Sequence, residues 1–412
     1  QTAMRTSLPL TALVFLAACA APAPRPSHGE VLTGLDVLEV EGFAPLKGKR
    51  VGVITNRTGV NKKGRSIVDI LAEAPGVDLV AVFSPEHGLF AASESEIVGR
   101  GLTTAGGRKI PVISLYSGGI EGMRPKAEDL GRLDVLIFDI QDVGARFYTY
   151  LATMGMALEQ SKKSGIEFLV LDRPNPIRGD IIEGPILEDP TLRLITPTAY
   201  FQVPVRHGLT PGEMALWHNR TVAHPKLTVV KLQGWKREMW QDQTGLPWVP
   251  PSPNMPSVDA ASLYPGIGIF EASNLSVGRG TPHPFRWIGA PWLNAEELAA
   301  RLEGRLDGVR FSVEDRTPTK SVFEGQACRG VRLTVTDRDA MRPLAVFRHI
   351  ALALRELHPD NFTWRWDEAK RMVGVDEFRR LWESGAADAA FLNLFDKGPR
   401  DFETDRRGVL LY

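Results

Sequence analysis

Five short apolar runs punctuate the first half of the chain: RVGVIT at 50–55, VDLVAVFS at 77–84, IPVISLY at 110–116, LDVLIFDI at 133–140 and IEFLVLD at 166–172. Their apolar residues are contiguous and do not alternate, which is how strands covered on both faces of a parallel sheet read. Helical patterns such as SIVDILAEA (66–74) and YTYLATMGMALEQSKKSG (148–165) lie between them. This alternation predicts an α/β fold, a Rossmann-like doubly wound parallel sheet.

Polar turns follow the strands: Asn56-Arg57-Thr58-Gly59, Pro85-Glu86-His87-Gly88, the stretch from Gln141 to Arg146, and Arg173-Pro174-Asn175-Pro176. In a parallel sheet such turns share one edge, outside the carboxyl ends of the strands, where open α/β folds bind ligands. A single Glu-His turn is ordinarily a helix cap or a solvated loop. Four polar turns on one edge point instead to a site.

A second region opens near residues 248–292, dense in Pro, Gly, Asn and aromatics, a composition suited to a rigid segment lining a ligand. Beyond it come the helical patterns NAEELAARLEGRL and PLAVFRHIALALRELHP, the strand pattern GVRLTVTD and a shorter helix around DEFRRLWESG. At 412 residues the chain exceeds what one core usually supports. The expectation is a Rossmann-like domain over 34–254 with a smaller α+β domain over 255–412 packed on it.

The N-terminus reads as an export signal over residues 1–18, because Arg5 precedes LPLTALVFLAACA, an apolar stretch too short to span a bilayer. Leu16-Ala17-Ala18-Cys19 resembles the lipobox of bacterial lipoproteins, in which the cysteine is lipidated. The Pro-rich segment within 19–33 suits an extended tether. With two cysteines in the chain, lipidation of Cys19 leaves Cys328 without a disulfide partner. The expectation is an exported protein anchored by lipid in the periplasm; Ala20, in place of an Asp associated with inner-membrane retention, leans toward the outer membrane.

Charge narrows the function. Lys plus Arg equals Asp plus Glu at 49 each, so no basic excess attracts nucleic acid. No G-x-G-x-x-G or G-x-x-x-x-G-K-[ST] cradles a phosphate, and neither G-x-S-x-G nor H-E-x-x-H occurs. No cofactor is implied. His87, His207, His283, Asp139, Asp142 and Asp172 are the residues from which separate loops could assemble a metal site. Carboxylates remain for the chemistry. Glycoside hydrolysis commonly uses two, one as proton donor and one ionised. Glu86, flanked by Phe83, Leu89 and Phe90, is the first choice as general acid, because apolar surroundings favour a protonated carboxyl. Glu183 and Asp142 are the candidates for the second.

Six strings carry a resemblance: VGVITNRTGV, SPEHGLF, DVLIFDIQDVGARFYTYLATM, LDRPNPIRGDIIEGPILE, VPVRHGLTPGEMA and PSPNMPSVDAASLYPGIGIFEASNLSVGRGTPHPF. Together, over roughly residues 34–412, the chain resembles the exo-β-N-acetylmuramidase (NamZ) family, formerly a domain of unknown function. The resemblance implies a glycosidase that releases N-acetylmuramic acid from non-reducing ends of peptidoglycan fragments, with a Rossmann-like domain, a C-terminal α/β domain and a cleft between them. It also implies a catalytic role for the glutamate of Ser-Pro-Glu-His-Gly, here Glu86. The segment AASESEIVGRG departs from the Gly-rich, acidic stretch expected after that motif, so no role falls to Glu94 or Glu96.

That substrate gives the other polar residues work. Its lactyl carboxylate calls for an arginine clamp, with Arg57, Arg146 and Arg279 as candidates. Asn56, Asn175 and Asn254 can bond acetamido and hydroxyl groups, and Tyr264, Phe285 or Trp287 can present a ring face. His87, His207 and His283 complete the expected binding set, with His87 placed to orient Glu86. Two other classes stay open from sequence: a metal-dependent hydrolase of cell-wall amides or phosphoesters, and a lipid-anchored muropeptide binder without turnover.

Overall fold

In the computed structural model, which describes residues 30–90, 101–116, 119–395 and 400–412, six strands form one parallel sheet. They are β1 (Arg50–Thr55), β2 (Asp78–Ser84), β3 (Val112–Ser114), β4 (Val135–Asp139), β5 (Glu167–Leu171) and β6 (Leu227–Val230). Their order is β3-β2-β1-β4-β5-β6, the doubly wound arrangement that reverses direction between β1 and β4. Each apolar run found by sequence supplies a strand. The sixth, LTVV, is only four residues long and partly exposed at the sheet edge, so it carries no comparable apolar signal. The expected signal peptide, Cys19 and most of the tether lie outside the described residues, as do Glu94 and Glu96.

Helices cover both faces. They include α1 (Gly34–Val40), α2 (Ile67–Glu73, capped by Ser66) and α3 (Tyr150–Ser164). Gly165 ends α3 at φ 70°, a left-handed position that suits glycine. Next comes α4 (Pro211–Val222), whose Thr210 and Glu213 form a reciprocal capping box.

The remainder is built on a three-stranded antiparallel sheet with order β7-β9-β8, from β7 (Trp287–Ala290), β8 (Val309–Val313) and β9 (Arg329–Val335). Against it and the first unit pack α5 (Val258–Ile267), α6 (Ala295–Leu302), α7 (Pro343–Leu357) and α8 (Trp366–Val373). One apolar cluster runs from Ile54, Phe138 and Val170 of the parallel sheet, through Met154 and Leu158 of α3, to Leu344, Phe347 and Trp364. Burying such a side chain contributes about 1.5–3 kcal/mol, so a shared core holds the two units in one relative position. Their junction opens at the carboxyl edge of the parallel sheet.

Candidate active site

The turn after β2 aims Glu86 into that junction. His87 and Gly88 take φ of 67° and 70°, and the Gly88 amide closes back on the Pro85 carbonyl at 3.0 Å. Tyr116, just past β3, donates its hydroxyl to Glu86 Oε1 at 2.7 Å. Thr149 donates its hydroxyl to Glu86 Oε2. Thr149 occupies the N-cap position of α3 but makes no side-chain cap bond, since its hydroxyl serves the carboxylate. Burial first, and then the charge of Glu86, raise the Tyr116 phenol well above its ordinary range, so it is a neutral donor at physiological pH. The apolar flanks expected from sequence do not surround Glu86: Phe83 is fully buried in the sheet core and Phe90 is 53% exposed.

Glu86 lines a cavity of about 360 Å³ whose walls come from both units. On the first side stand Phe147, Tyr148 and Thr149, from the segment between β4 and α3. On the second stand Tyr264, Glu271, Arg279 and Phe285. The rings of Tyr264 and Phe285 meet edge to face at 4.6 Å, with the Arg279 guanidinium 5.2 Å from the Phe285 centroid. Arg279 also forms an ion pair with Glu271, which sits on the 3-10 turn that follows α5. Residues Glu368, Arg371 and Met372 of α8, with Thr196 and Thr198 of a short turn, complete the rim.

Among the described residues three carboxylates therefore line one sugar-sized space, with Glu368 on its rim and Glu86 and Glu271 on different units, in different company. Glu271 has a guanidinium counter-ion, whereas among the described residues Glu86 is held by two neutral hydroxyls. A carboxyl held by hydroxyls can take up a proton without leaving a cation unpaired. Of the residues singled out by sequence, the cavity brings together Glu86, His87, Arg279, Tyr264 and Phe285.

The others stand elsewhere, for identifiable reasons. Glu183 is not in the wall; it is buried in an ion pair with Arg206, Oε2 to Nη1 at 2.7 Å. Asp142 is also absent from it, its Oδ2 accepting from the Gly144 amide at 2.7 Å and lying 3.6 Å from His207 Nε2. His207 itself is fully buried and accepts through Nδ1 from the Leu209 amide. Arg146 is no clamp, because its fork is directed at the main-chain carbonyls of Pro185, Val203 and Met372. Arg57 is exposed outside the cavity. Asn56 accepts from the Thr58 amide and hydroxyl, and Asn175 donates to the Leu209 carbonyl, both fixing their own loops. Asn254 is buried but lies outside the wall that its neighbours Ser252 and Met255 join. His283 is 3.6 Å from Glu314, and the Trp287 indole donates to the Glu314 carbonyl.

The residues weighed for a metal are committed separately. Asp139 forms a two-bond pair with Arg173, Nε to Oδ1 at 2.5 Å and Nη2 to Oδ2 at 2.9 Å. Asp172 accepts from Thr210, Gly212 and Tyr412. Among the described residues no three His, Cys, Asp or Glu side chains converge as ligands.

Sequence reading missed Glu271, Arg371 and Tyr116. Glu271 lies within a stretch whose composition marks it as ligand-lining, yet nothing in its spacing says which side faces Glu86. Arg371 belongs to a short amphipathic helix that reads as surface.

Residues 51–259 match the family model described as exo-beta-N-acetylmuramidase NamZ, N-terminal, and residues 262–412 match its C-terminal counterpart. The peptidoglycan beta-N-acetylmuramidase NamZ of Bacillus subtilis (strain 168) is 41% identical over 387 residues, covering 93% of this chain and 92% of that protein. A crystal structure of a DUF1343 family protein from Bacteroides fragilis NCTC 9343 superposes with a TM-score of 0.83 at 36% identity, covering 94% of this chain and 100% of that one. A second such protein from the same organism gives a TM-score of 0.70 at 28% identity, covering 93% and 99%. The chain belongs to the exo-β-N-acetylmuramidase NamZ family.

Proposed function

We propose that the chain is an exo-acting glycoside hydrolase that releases N-acetylmuramic acid from the non-reducing end of peptidoglycan fragments, with Glu86 as proton donor and Glu271 as the second carboxylate. One observation carries the assignment of roles: Glu86 and Glu271 line the same cavity from different structural units, the first held by hydroxyls and the second paired with Arg279. In this reading Glu86 gives its proton to the departing glycosidic oxygen as the bond to the anomeric carbon breaks. Glu271 keeps its charge against Arg279 and stabilises the positive charge that develops on the sugar ring. Water supplies the hydroxyl that replaces the departing sugar, and its remaining proton returns to the Glu86 carboxylate. Tyr116 and Thr149 fix the direction of the Glu86 carboxyl. A cavity of about 360 Å³ lies at the small end of ligand pockets and suits one substituted sugar, in keeping with action at a chain end.

The test is hydrolysis of a chromogenic β-N-acetylmuraminide. Glu86→Gln is expected to lose about 10²–10⁴-fold in kcat while its affinity for the sugar stays near that of the wild type. A wild type that binds this substrate without cleaving it makes the protein a binder. Loss of activity after exhaustive chelation points instead to a metal-dependent hydrolase.

The charged start, short apolar stretch and lipobox-like Cys19 support a further part of this reading, export and lipid anchoring at a periplasmic membrane face, with the outer membrane favoured by Ala20. Metabolic labelling with a fatty acid tests it. The label is expected on the native chain and absent from Cys19→Ala.

A further inference from the structure

Three acidic side chains line the cavity, and two have a guanidinium partner. Glu271 pairs with Arg279, and Glu368 pairs with Arg365 at 2.7 Å. Glu86, the third, is held by the Tyr116 and Thr149 hydroxyls. The arginines are unequal in the same way. Arg279 is engaged by Glu271, but the half-buried Arg371 makes no side-chain ion pair or hydrogen bond among the described residues. A cation kept partly out of water without a counter-ion is costly, unless an anion arrives to pair with it.

The surroundings hold Arg371 in place. Its helix α8 ends at Gly374, φ 99°, where an added Cβ would stand 2.7 Å from the Arg146 guanidinium. Arg146 Nη2 donates to the carbonyl of Met372, the next residue, at 2.7 Å. The same rim carries Thr196 and Thr198, whose hydroxyls lie 2.9 Å apart. A fixed guanidinium beside two hydroxyls makes a donor set for a planar carboxylate.

Resting on the glycosidase reading above, we infer that Arg371 is the specificity-determining residue of this site, clamping the lactyl carboxylate of the N-acetylmuramoyl unit with help from Thr196 and Thr198. N-acetylglucosamine, the other sugar of the polymer, lacks the lactyl group and so offers Arg371 no anion. Selection between the two sugars then resides in one ion pair on the C-terminal unit, remote in sequence from Glu86.

The experiment measures, by calorimetric titration of the intact protein, affinity for three probes: the β-methyl glycoside of N-acetylmuramic acid, its lactyl amide, and the β-methyl glycoside of N-acetylglucosamine. Wild type is expected to prefer the acid over both neutral probes. Arg371→Ala is expected to weaken binding of the acid by about 30- to 100-fold, the scale of a charge-assisted hydrogen-bonded pair, while changing the two neutral probes by less than about twofold. Arg371→Lys, which keeps the charge but not the fork, should recover part of the loss. Because Arg371 is half-exposed at a rim, an unchanged melting curve should accompany these variants. If Arg371→Ala keeps the acid preference, or weakens all three probes equally, the clamp is wrong even though hydrolysis by the wild type continues. If the wild type binds and discriminates through Arg371 but does not hydrolyse, the glycosidase reading fails and the clamp stands. A wild type that binds none of the probes overturns both.

Discussion

Arg146 donates through Nη2 to the main-chain carbonyl of Met372 at 2.7 Å, so a guanidinium rooted between β4 and α3 holds the helix that carries Arg371. The contact joins residues 226 positions apart and crosses from one structural unit to the other. Among the described residues Arg146 has no carboxylate partner, and burial pulls its pKa down to about 9. It remains charged at neutral pH, and its two Nη groups donate to three carbonyls.

Replacing Arg146 by Ala orphans those carbonyls and leaves a void between the units. At about 1 kcal/mol or more for each lost bond, plus packing, the expected cost is about 3–5 kcal/mol. Urea denaturation of the purified variant measures it. If Arg146→Ala unfolds within about 1 kcal/mol of the wild type, the carbonyl contacts are not holding the junction.

Tyr116→Phe removes the donor to Glu86 Oε1 and leaves the ring in place. We expect kcat to fall about tenfold, the value of one hydrogen bond lost from a reacting carboxyl, with KM within about twofold. An unchanged kcat would show that Tyr116 is only a wall residue.

Glu271→Gln tests the second carboxylate. It keeps volume and removes the charge that Arg279 faces, so kcat is expected to drop by about 10²-fold or more. Glu183→Gln breaks a buried pair with Arg206 outside the cavity and should destabilise the fold while sparing turnover per folded molecule. Active-site titration separates the two outcomes.

Glu159 makes the pH prediction for stability. Burial would raise its carboxyl, but bonds from His218, Arg124 and Tyr200 outweigh it and hold it well below the usual carboxylate range. A depressed carboxyl contributes stability that is present above its unfolded value of 4.5 and is lost as pH falls below it. Glu159→Gln should therefore cost about 2–3 kcal/mol near neutral pH, and the gap to the wild type should close in acid. Arg193, another partner of Glu159, belongs to the segment that leads to Thr196, so substrate affinity should weaken with it.

Tyr412→Phe carries the opposite sign. Burial pushes the Asp172 carboxyl up to about 7, against bonds from Tyr412, Gly212 and Thr210, from an unfolded value of 3.8. Between those values the folded chain holds a proton that the unfolded chain has lost, so stability from this group declines as pH rises toward 7. The Tyr412 hydroxyl donates to Asp172 Oδ2 at 2.7 Å, a bond that is stronger to the ionised form. Removing it is expected to cost about 1 kcal/mol in mild acid and about 2 kcal/mol above pH 8. Thermal melts across that range would reveal a penalty that shrinks with pH if this assignment is wrong.

The amino-acid sequence by itself determined the parallel sheet, the convergence of its turns at one edge, the family and Glu86. Short contiguous apolar runs bounded by turn residues suit strands covered on both faces, and a turn after such a strand has few directions to point. Which further carboxylate and which cation reach the cavity with Glu86, namely Glu271 and Arg371, was decided by tertiary structure alone. Glu183, Asp142 and Arg146 look no different in sequence from Glu271 and Arg371. What separates them is the partner each meets in the fold: Arg206 neutralises Glu183, a tight loop claims Asp142 and three carbonyls occupy Arg146, while among the described residues α8 brings Arg371 to the cavity with no counter-charge. Which side chains end buried and paired at the junction depends on how the units pack, as where Arg146 meets the Met372 carbonyl across 226 positions, and no local pattern encodes that packing.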